Sequence, residues 1–513
     1  MENVKNATKK TTSKATETKK IAETKKVEEP KKEVEKTKVL YVAAECKGFM
    51  TTGGLAEVAG SLPKGIMDTN KNYDVRVIMP LYKKIIDTYG EKLEYIGQKY
   101  INMPREKQYC GVFKYVKDGV IHYFIDNRYY FYRDGSPYGH YDDGERFAFF
   151  SKAVLEVLDI IDFYPHIINA NDWHTALVNI YLDVYYKKNQ YYTNIKSVFT
   201  IHNIEYQGVY GKDFNYNVMD IGMENMSLVE YNGNVNLIKG AIVCSDLVTT
   251  VSPTYANEIK DPFYSCGLFH IINQNAFKLR GIINGIDIKQ YNPKTDSVVK
   301  PNYDLKTIEL KKEVKKNLQM KLGLQEDSDA CIIAVISRLA SHKGIDLIID
   351  RFHDIMREKV QFIVLGTGEQ YYENKFRGFE WAYPGRVKAC ITFNTDLSKE
   401  IYAGADCFLM PSKMEPCGLS QMIASRYGTV PIVRATGGLK DTIIDYGDNG
   451  NGFVFQEYNS YHMLDKIKQA AGLCTDYKDE WNELVKRVME KDFSWNASAK
   501  LYINEYDKLL GKE

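Results

Sequence analysis

At 513 residues with 44% hydrophobic composition, the chain exceeds one ordinary domain and carries enough apolar content for two or three cores. A formal net charge of +1 excludes a dominant field for nucleic acid or an acidic membrane surface, so no nucleic-acid partner is expected. No run of about 18 apolar residues exists, which excludes a membrane-spanning helix.

Residues 1–37 are mostly Lys, Glu and Thr. Such a composition buries too little surface to offset chain entropy, so a disordered tail is expected. The segment also lacks the apolar core of a signal peptide. Order is expected from Lys38. Residues 39–44 read as a buried parallel strand, and helical spacing follows from Ala56. Between them lie Thr51, Thr52, Gly53 and Gly54. Glycines at a strand-to-helix junction let a ligand approach the backbone, and a helix N-terminus accepts phosphate. The same pair also suits a mere tight turn, and it is not a G-x-G-x-x-G fingerprint.

Further strands are expected at 75–79, 121–125, 166–170, 197–201 and 247–251, with helical stretches at 144–159 and 174–186. This alternation indicates a parallel sheet covered on both faces, and such sheets bind ligands beyond the C-terminal strand ends. That rule selects Asp172 in Asn171-Asp172-Trp173-His174 and His202 in Ile201-His202-Asn203. The structural alternatives are a helix cap for Asp172 and a core histidine for His202. A strand ending in an Asn284-Gly285 turn, then a polar stretch at 292–304, puts a domain boundary within 270–300.

A second series follows, with strands at 331–336, 361–365, 387–392, 405–410 and 430–433 and a helix over 345–355. Arg338 and Lys343 sit in the loop after its first strand. Two cations there suit a diphosphate; plain surface cations are the alternative. Phe393 follows the third strand. The densest stretch is Pro411-Ser412-Lys413-Met414-Glu415-Pro416-Cys417-Gly418-Leu419-Ser420-Gln421. A turn between strand and helix aims free N–H groups and a positive helix end at one spot, which suits anionic oxygens. Glu415, just upstream of that helix, either serves a sugar and a developing cation or merely stabilises the helix start. Nine cysteines with no C-x-x-C pair fit reduced thiols, so a cytoplasmic location is expected.

With these residues assembled, the chain resembles the bacterial glycogen synthase and plant starch synthase family over about residues 38–510. The matching stretches include Gly53-Gly54-Leu55-Ala56-Glu57-Val58, Asn171-Asp172-Trp173-His174 and Thr200-Ile201-His202-Asn203. They continue through Asn284-Gly285-Ile286-Asp287, Ser337-Arg338-Leu339, Lys343-Gly344, Glu415-Pro416-Cys417-Gly418-Leu419-Ser420-Gln421, Thr436-Gly437-Gly438-Leu439 and Asp492-Phe493-Ser494-Trp495. The resemblance implies an α/β fold of GT-B architecture, two Rossmann-like parallel-sheet domains facing across a cleft. Residues 38–282 would form the acceptor side and 283–490 the donor side, with 491–513 a helix crossing back. It implies transfer of glucose from ADP-glucose to the non-reducing end of an α-1,4-glucan, with retention and with no metal or cofactor. Arg338 and Lys343 would grip the donor diphosphate, Glu415 would sit by the donor glucose, and His202 and Asp172 would contact sugar or acceptor. Thr51, Gly53, Gly54, Asn284, Phe393, Cys417, Gly418, Leu419 and Ser420 become substrate-contacting positions. No covalent nucleophile is evident, so same-face transfer is the expected route.

One departure matters most. The family usually reads Lys-Thr-Gly-Gly-Leu where this chain reads Thr51-Thr52-Gly53-Gly54-Leu55. A lost charge-assisted contact costs about 1.5–3 kcal/mol, a factor of roughly 10 to 200 if it acts in the transition state. Lys47, just upstream, is a candidate replacement. A catalytically weak glucan-binding or regulatory homologue therefore stays open, as does a retaining transferase using UDP-glucose. Ile423 stands where broader relatives carry a second Glu, which favours the glycogen synthase type.

Overall fold

The computed structural model describes residues 35–512, so the expected tail lies, up to residue 34, outside the described residues. The apolar run after Lys36 forms β1 (Thr37–Val42), buried at all but one position because helices cover both sheet faces. β2 (Tyr73–Pro80) follows, then β3 (Glu94–Asn102), β4 (Lys107–Lys117), β5 (Val120–Asp126), β6 (Ile167–Asn171) and β7 (Lys196–Ile201). β8 (Val209–Tyr210), β9 (Glu230–Tyr231) and β10 (Asn234–Asn236) make a small separate sheet. With β11 (Leu247–Thr250) and β12 (Leu279–Gly281), the main sheet runs β12-β11-β7-β6-β1-β2-β5-β4-β3. It is parallel from β12 to β5 and antiparallel at the β4 and β3 edge. The β4–β5 turn is Asp118-Gly119, with φ of 52° and 81°, the two left-handed residues a tight hairpin demands.

The second sheet holds β13 (Cys331–Ile336), β14 (Val360–Leu365), β15 (Val387–Cys390), β16 (Cys407–Met410), β17 (Val430–Arg434) and β18 (Phe453–Phe455). Its order is β15-β14-β13-β16-β17-β18, all parallel. Two Rossmann-like sheets are thus present, as expected. β12 stops at Gly281, so the strand read as ending in the Asn284-Gly285 turn ends before it.

The sheets meet at their C-terminal strand ends. Ser252, just past β11, donates its hydroxyl to the Pro416 carbonyl at 2.7 Å. Glu258 accepts from Thr436 Oγ1 at 2.9 Å and from the Gly437 amide at 3.0 Å. The last helix, Trp495–Leu509, lies on the first sheet's side against helix Gly54–Thr69. Tyr506 donates to Asn169 Oδ1 at 2.7 Å and Tyr73 donates to Asp507 at 2.6 Å, which fastens that helix to β6 and β2. No helix among the described residues is long and apolar enough to cross a membrane.

Candidate functional site

The loop after β16 is held by backbone packing rather than by the side chains it displays. Gly344 has φ +72°, and a Cβ there would stand 2.0 Å from the Pro411 carbonyl oxygen. Only glycine permits that approach. Arg434, buried, donates to the carbonyls of Ser412 at 2.7 Å and Lys413 at 2.5 Å. A Cβ at Gly437 would lie 2.0 Å from Glu415 O, so this glycine lets the next loop close on the first. Gln421 donates to the carbonyls of Cys417 and Gly418 at 3.1 and 3.0 Å.

On this frame Lys343 Nζ lies 2.7 Å from Glu415 Oε2, which also accepts the Ser412 hydroxyl at 3.0 Å. The two side chains stay 21% and 10% exposed, enough to meet a ligand. Arg338 is exposed, and its guanidinium carries no hydrogen bond or ion pair among the described residues. Burial and the neighbouring Lys343 and Arg338 charges depress His342. Helix Ser420–Arg426 has no side-chain cap, which leaves its first amides for an anion. The Cys417 thiol, pushed up to about 12 by burial, sits beside Asn284 and is a wall rather than a nucleophile. Phe393 follows β15 at the C-terminal edge of the second sheet. Its ring is 90% exposed, and its neighbour Asn394 caps helix Thr395–Gly404.

In the first sheet, Asp172 follows β6 with φ +55°. It does not cap the following helix; its carboxylate accepts the His202 amide at 2.8 Å instead. His202 Nε2 lies 2.9 Å from Asn171 Oδ1. Asn171 Nδ2 donates to Val42 O at 2.9 Å, which identifies Oδ1 as the acceptor and makes His202 the Nε2–H tautomer. Its Nδ1 lone pair is left for a ligand hydroxyl. Burial pushes Asp172 up to about 7 and His202 down to about 3. Because β7 pairs with β11, His202 is a strand-end neighbour of the Ser252–Pro416 contact.

The glycine pair is not a tight turn. Gly53 has φ −158°, and a Cβ on Gly54 would meet nothing within 4 Å. What the pair preserves is open space. Glu45, buried, accepts the Thr52 amide at 2.6 Å and its hydroxyl at 2.7 Å, so the protein's own carboxylate already holds this turn. Burial raises Glu45. Thr51 is exposed beside it. Lys47, the candidate replacement, is engaged elsewhere: its ammonium is 2.7 Å from Glu57 Oε2 and bonds Gln290. Tyr138 also escapes a reading of the sequence. Its ring centroid lies 4.4 Å from that of His174 with the planes tilted by 34°, and its hydroxyl is buried close to Thr52. It comes from an irregular loop with no pattern to mark it, whereas Glu45 at the end of β1 obeys the strand-end rule.

Cys331, Asp406 and Cys474 bring their ligand atoms within 4.8 Å of one another. Lys315 already pairs with Asp406 at 2.7 Å, and the group lies at the opposite ends of β13 and β16 from Arg338 and Glu415.

His202 sets a pH dependence. A histidine depressed to about 3 contributes stability that is complete above its unfolded value near 6.5 and is lost as pH falls toward 3. Asp172 acts oppositely, because its raised value favours the folded state below about 4 and loses effect as pH rises through 7. His202→Gln is expected to flatten the decline in unfolding free energy between pH 6 and 4 by about 1.4 kcal/mol per pH unit, read from denaturant midpoints. An unchanged slope would contradict a buried neutral His202.

A family model described as starch synthase catalytic domain matches residues 38–274, and one described as glycosyl transferases group 1 matches 317–481. A glycogen synthase of Anoxybacillus flavithermus is 44% identical over 478 residues, covering 92% of this chain and 98% of its own. One from Bacillus cereus is 45% identical over 479 residues, with 92% and 99% covered. The solved catalytic domain of starch synthase IV from Arabidopsis thaliana, bound to ADP and acarbose, has a TM-score of 0.83 at 33% identity, over 93% of this chain and 100% of that one. A sucrose-phosphate synthase of Thermosynechococcus elongatus shares the fold, with a TM-score of 0.55 at 14% identity over 93% and 100% of the two chains.

Proposed function

The chain belongs to the glycogen and starch synthase family, glycosyltransferases that build glucan, and on that premise we propose that it extends α-1,4-glucan from ADP-glucose with retention. The observation that carries this reading is the Lys343–Glu415 pair at 2.7 Å on a loop fixed by backbone packing. The ADP bound in the Arabidopsis starch synthase supports the choice of base. Residues 38–282 would take the acceptor and 283–490 the donor, in a cytoplasmic enzyme.

In this reading Arg338 and Lys343 take the donor diphosphate. As the bond from the anomeric carbon to the diphosphate breaks, negative charge grows on the leaving oxygen and positive charge on the sugar. Cations and amides already in place at that oxygen stabilise the change without reorganising. Lys343 supplies the charge, and the amides of 418–420 supply donors. Glu415, held by Lys343 and Ser412, orients the donor glucose and faces its cationic side. The acceptor 4-hydroxyl attacks the face that the diphosphate leaves, and its proton passes to a diphosphate oxygen. His202, neutral, accepts a sugar hydroxyl through Nδ1. Asp172 is a positioning residue, acting through the His202 amide.

Nucleoside diphosphate release with glycogen tests the donor. kcat/KM for ADP-glucose is expected to exceed that for UDP-glucose by about tenfold or more, a difference of about 1.4 kcal/mol in transition-state binding. Preference for UDP-glucose would overturn the donor, and glycogen binding without turnover would overturn the enzyme reading.

A further inference from the structure

The end of the second sheet that points away from the cleft gathers sulfur. β13 and β16 are neighbours there, and each opens on a cysteine, Cys331 and Cys407. Side chains alternate along a strand, so Cys331 shares a face with Ile333 and Val335, and Cys407 shares one with Leu409. One apolar cluster takes in all five. Helix Ser460–Asp476 packs into the same cluster and brings Cys474 from its last turn. All three cysteines are buried. Cys331 is the middle one: its Sγ lies 3.6 Å from Cys407 Sγ, and it also hydrogen-bonds with Cys474.

Asp406, the residue before β16, adds a carboxylate, and the ligand atoms of Cys331, Asp406 and Cys474 all lie within 4.8 Å of one another. Ligands of one tetrahedral zinc ion, bonded at about 2.0–2.3 Å, stand about 3.6–3.8 Å apart, so about an ångström of closure assembles the set. Its surroundings suit an ion. The Ile332 amide and the Lys315 ammonium both go to Asp406 Oδ2, at 2.8 and 2.7 Å, so Oδ1 is the oxygen free to turn. Lys315 is fixed in turn by the Ala330 carbonyl at 2.6 Å. Bonds of this kind orient metal ligands from outside. Two thiolates and a carboxylate carry three negative charges, which a divalent ion and Lys315 cancel, as a buried place requires. Asp406 and Cys474 also line the cavity between helices Lys311–Leu322 and Lys478–Glu490, which gives an ion its way in.

We propose that Cys331, Cys474 and Asp406 bind one Zn2+, with water from the cavity as fourth ligand and the Cys407 thiol hydrogen-bonded to the Cys331 sulfur. Each coordinating thiol gives its proton to solvent and a sulfur lone pair to the ion, with no change of oxidation state. The ion ties β13 and the start of β16 to helix Ser460–Asp476. Its role is structural and separate from transfer, because Arg338 and Glu415 follow the opposite ends of the same two strands.

The full chain, reduced and stripped of metal, is titrated with Zn2+ against a chromophoric chelator and with Co2+ followed by absorption. One ion per chain is expected, with about two protons released near pH 7 and a thiolate-to-cobalt charge-transfer band. Cys331→Ala and Cys474→Ala should each weaken zinc binding at least about 100-fold, and Cys407→Ala about 10- to 100-fold. Cys266 is exposed, and Cys266→Ala should change nothing. Zinc should raise the Tm of the wild type and not that of Cys331→Ala. If a buried cysteine variant fails to fold, the band intensity of the wild type still counts the thiolates, and two are expected. Absence of the band, an intensity of one thiolate, or wild-type affinity in folded Cys331→Ala or Cys474→Ala would overturn the proposal. So would loss of binding in Cys266→Ala, which places the ion elsewhere.

Discussion

Lys343→Ala is expected to lower kcat by about two to three orders of magnitude, and Glu415→Ala by a similar factor, with little change in Tm. Lys343 is the ammonium aimed at the Glu415 end of the loop, and it stays 21% exposed. Removing it takes a cation from the leaving diphosphate. It also leaves the Glu415 carboxylate, only 10% exposed, without its counter-ion and repelling that diphosphate. Removing Glu415 instead frees Lys343 to follow the phosphate and strips the donor glucose of its anionic partner. Both residues serve one arrangement, so the double variant should be little worse than the poorer single one. The fold should tolerate these changes. Gly344, Gly437 and Arg434 hold the loop through its backbone, and a partly exposed ion pair adds only about 0–1 kcal/mol. Steady-state ADP release with glycogen and thermal unfolding by circular dichroism read both quantities. Wild-type kcat in either folded variant would refute the role of this pair.

Much of this is legible without coordinates, for physical reasons. β13 and helix Ile345–Ile355 match their expected limits because a β-branched apolar run and an amphipathic period are local signals. Asp172, His202, Arg338 and Glu415 all follow strands, where the strand-end rule looks for them. The β3–β4 edge escapes that reading although Asp118-Gly119 marks its neighbouring turn, because half-exposed strands lack the apolar runs that reveal buried ones. β18, with three residues, is too short to leave a period.

What stays hidden is direction and long-range approach. Nothing near Gly344 in the sequence announces that Pro411 will lie against it, and nothing near Glu45 announces the irregular loop that brings Tyr138 into the same half. Lys47 is close enough in sequence to stand in for the lysine missing at 51, yet it packs back along helix Gly54–Thr69 toward Glu57 and Gln290. Spacing locates a side chain along the chain; packing decides where it points.

Thr51→Lys should therefore raise kcat/KM for ADP-glucose by about tenfold. Thr51 is exposed at the opening that the glycine pair preserves, and Thr52 beside it is already fixed by Glu45. A lysine here starts from an ordered backbone and projects from the open turn. Its hydrogen bond to a phosphate oxygen is charge-assisted and worth about 1.5–3 kcal/mol, a factor of roughly 10 to 200. Ordering a long side chain takes back up to about 2 kcal/mol, which puts the expectation at the low end. Lys47→Met is the companion. It removes the bonds to Glu57 and Gln290, so it should lower stability without abolishing the improvement from Thr51→Lys. If Thr51→Lys changes nothing in an active enzyme, a cation at this position contributes nothing to transfer here. If Lys47→Met alone collapses kcat/KM while the fold persists, Lys47 leaves Glu57 when donor binds and performs the missing lysine's work.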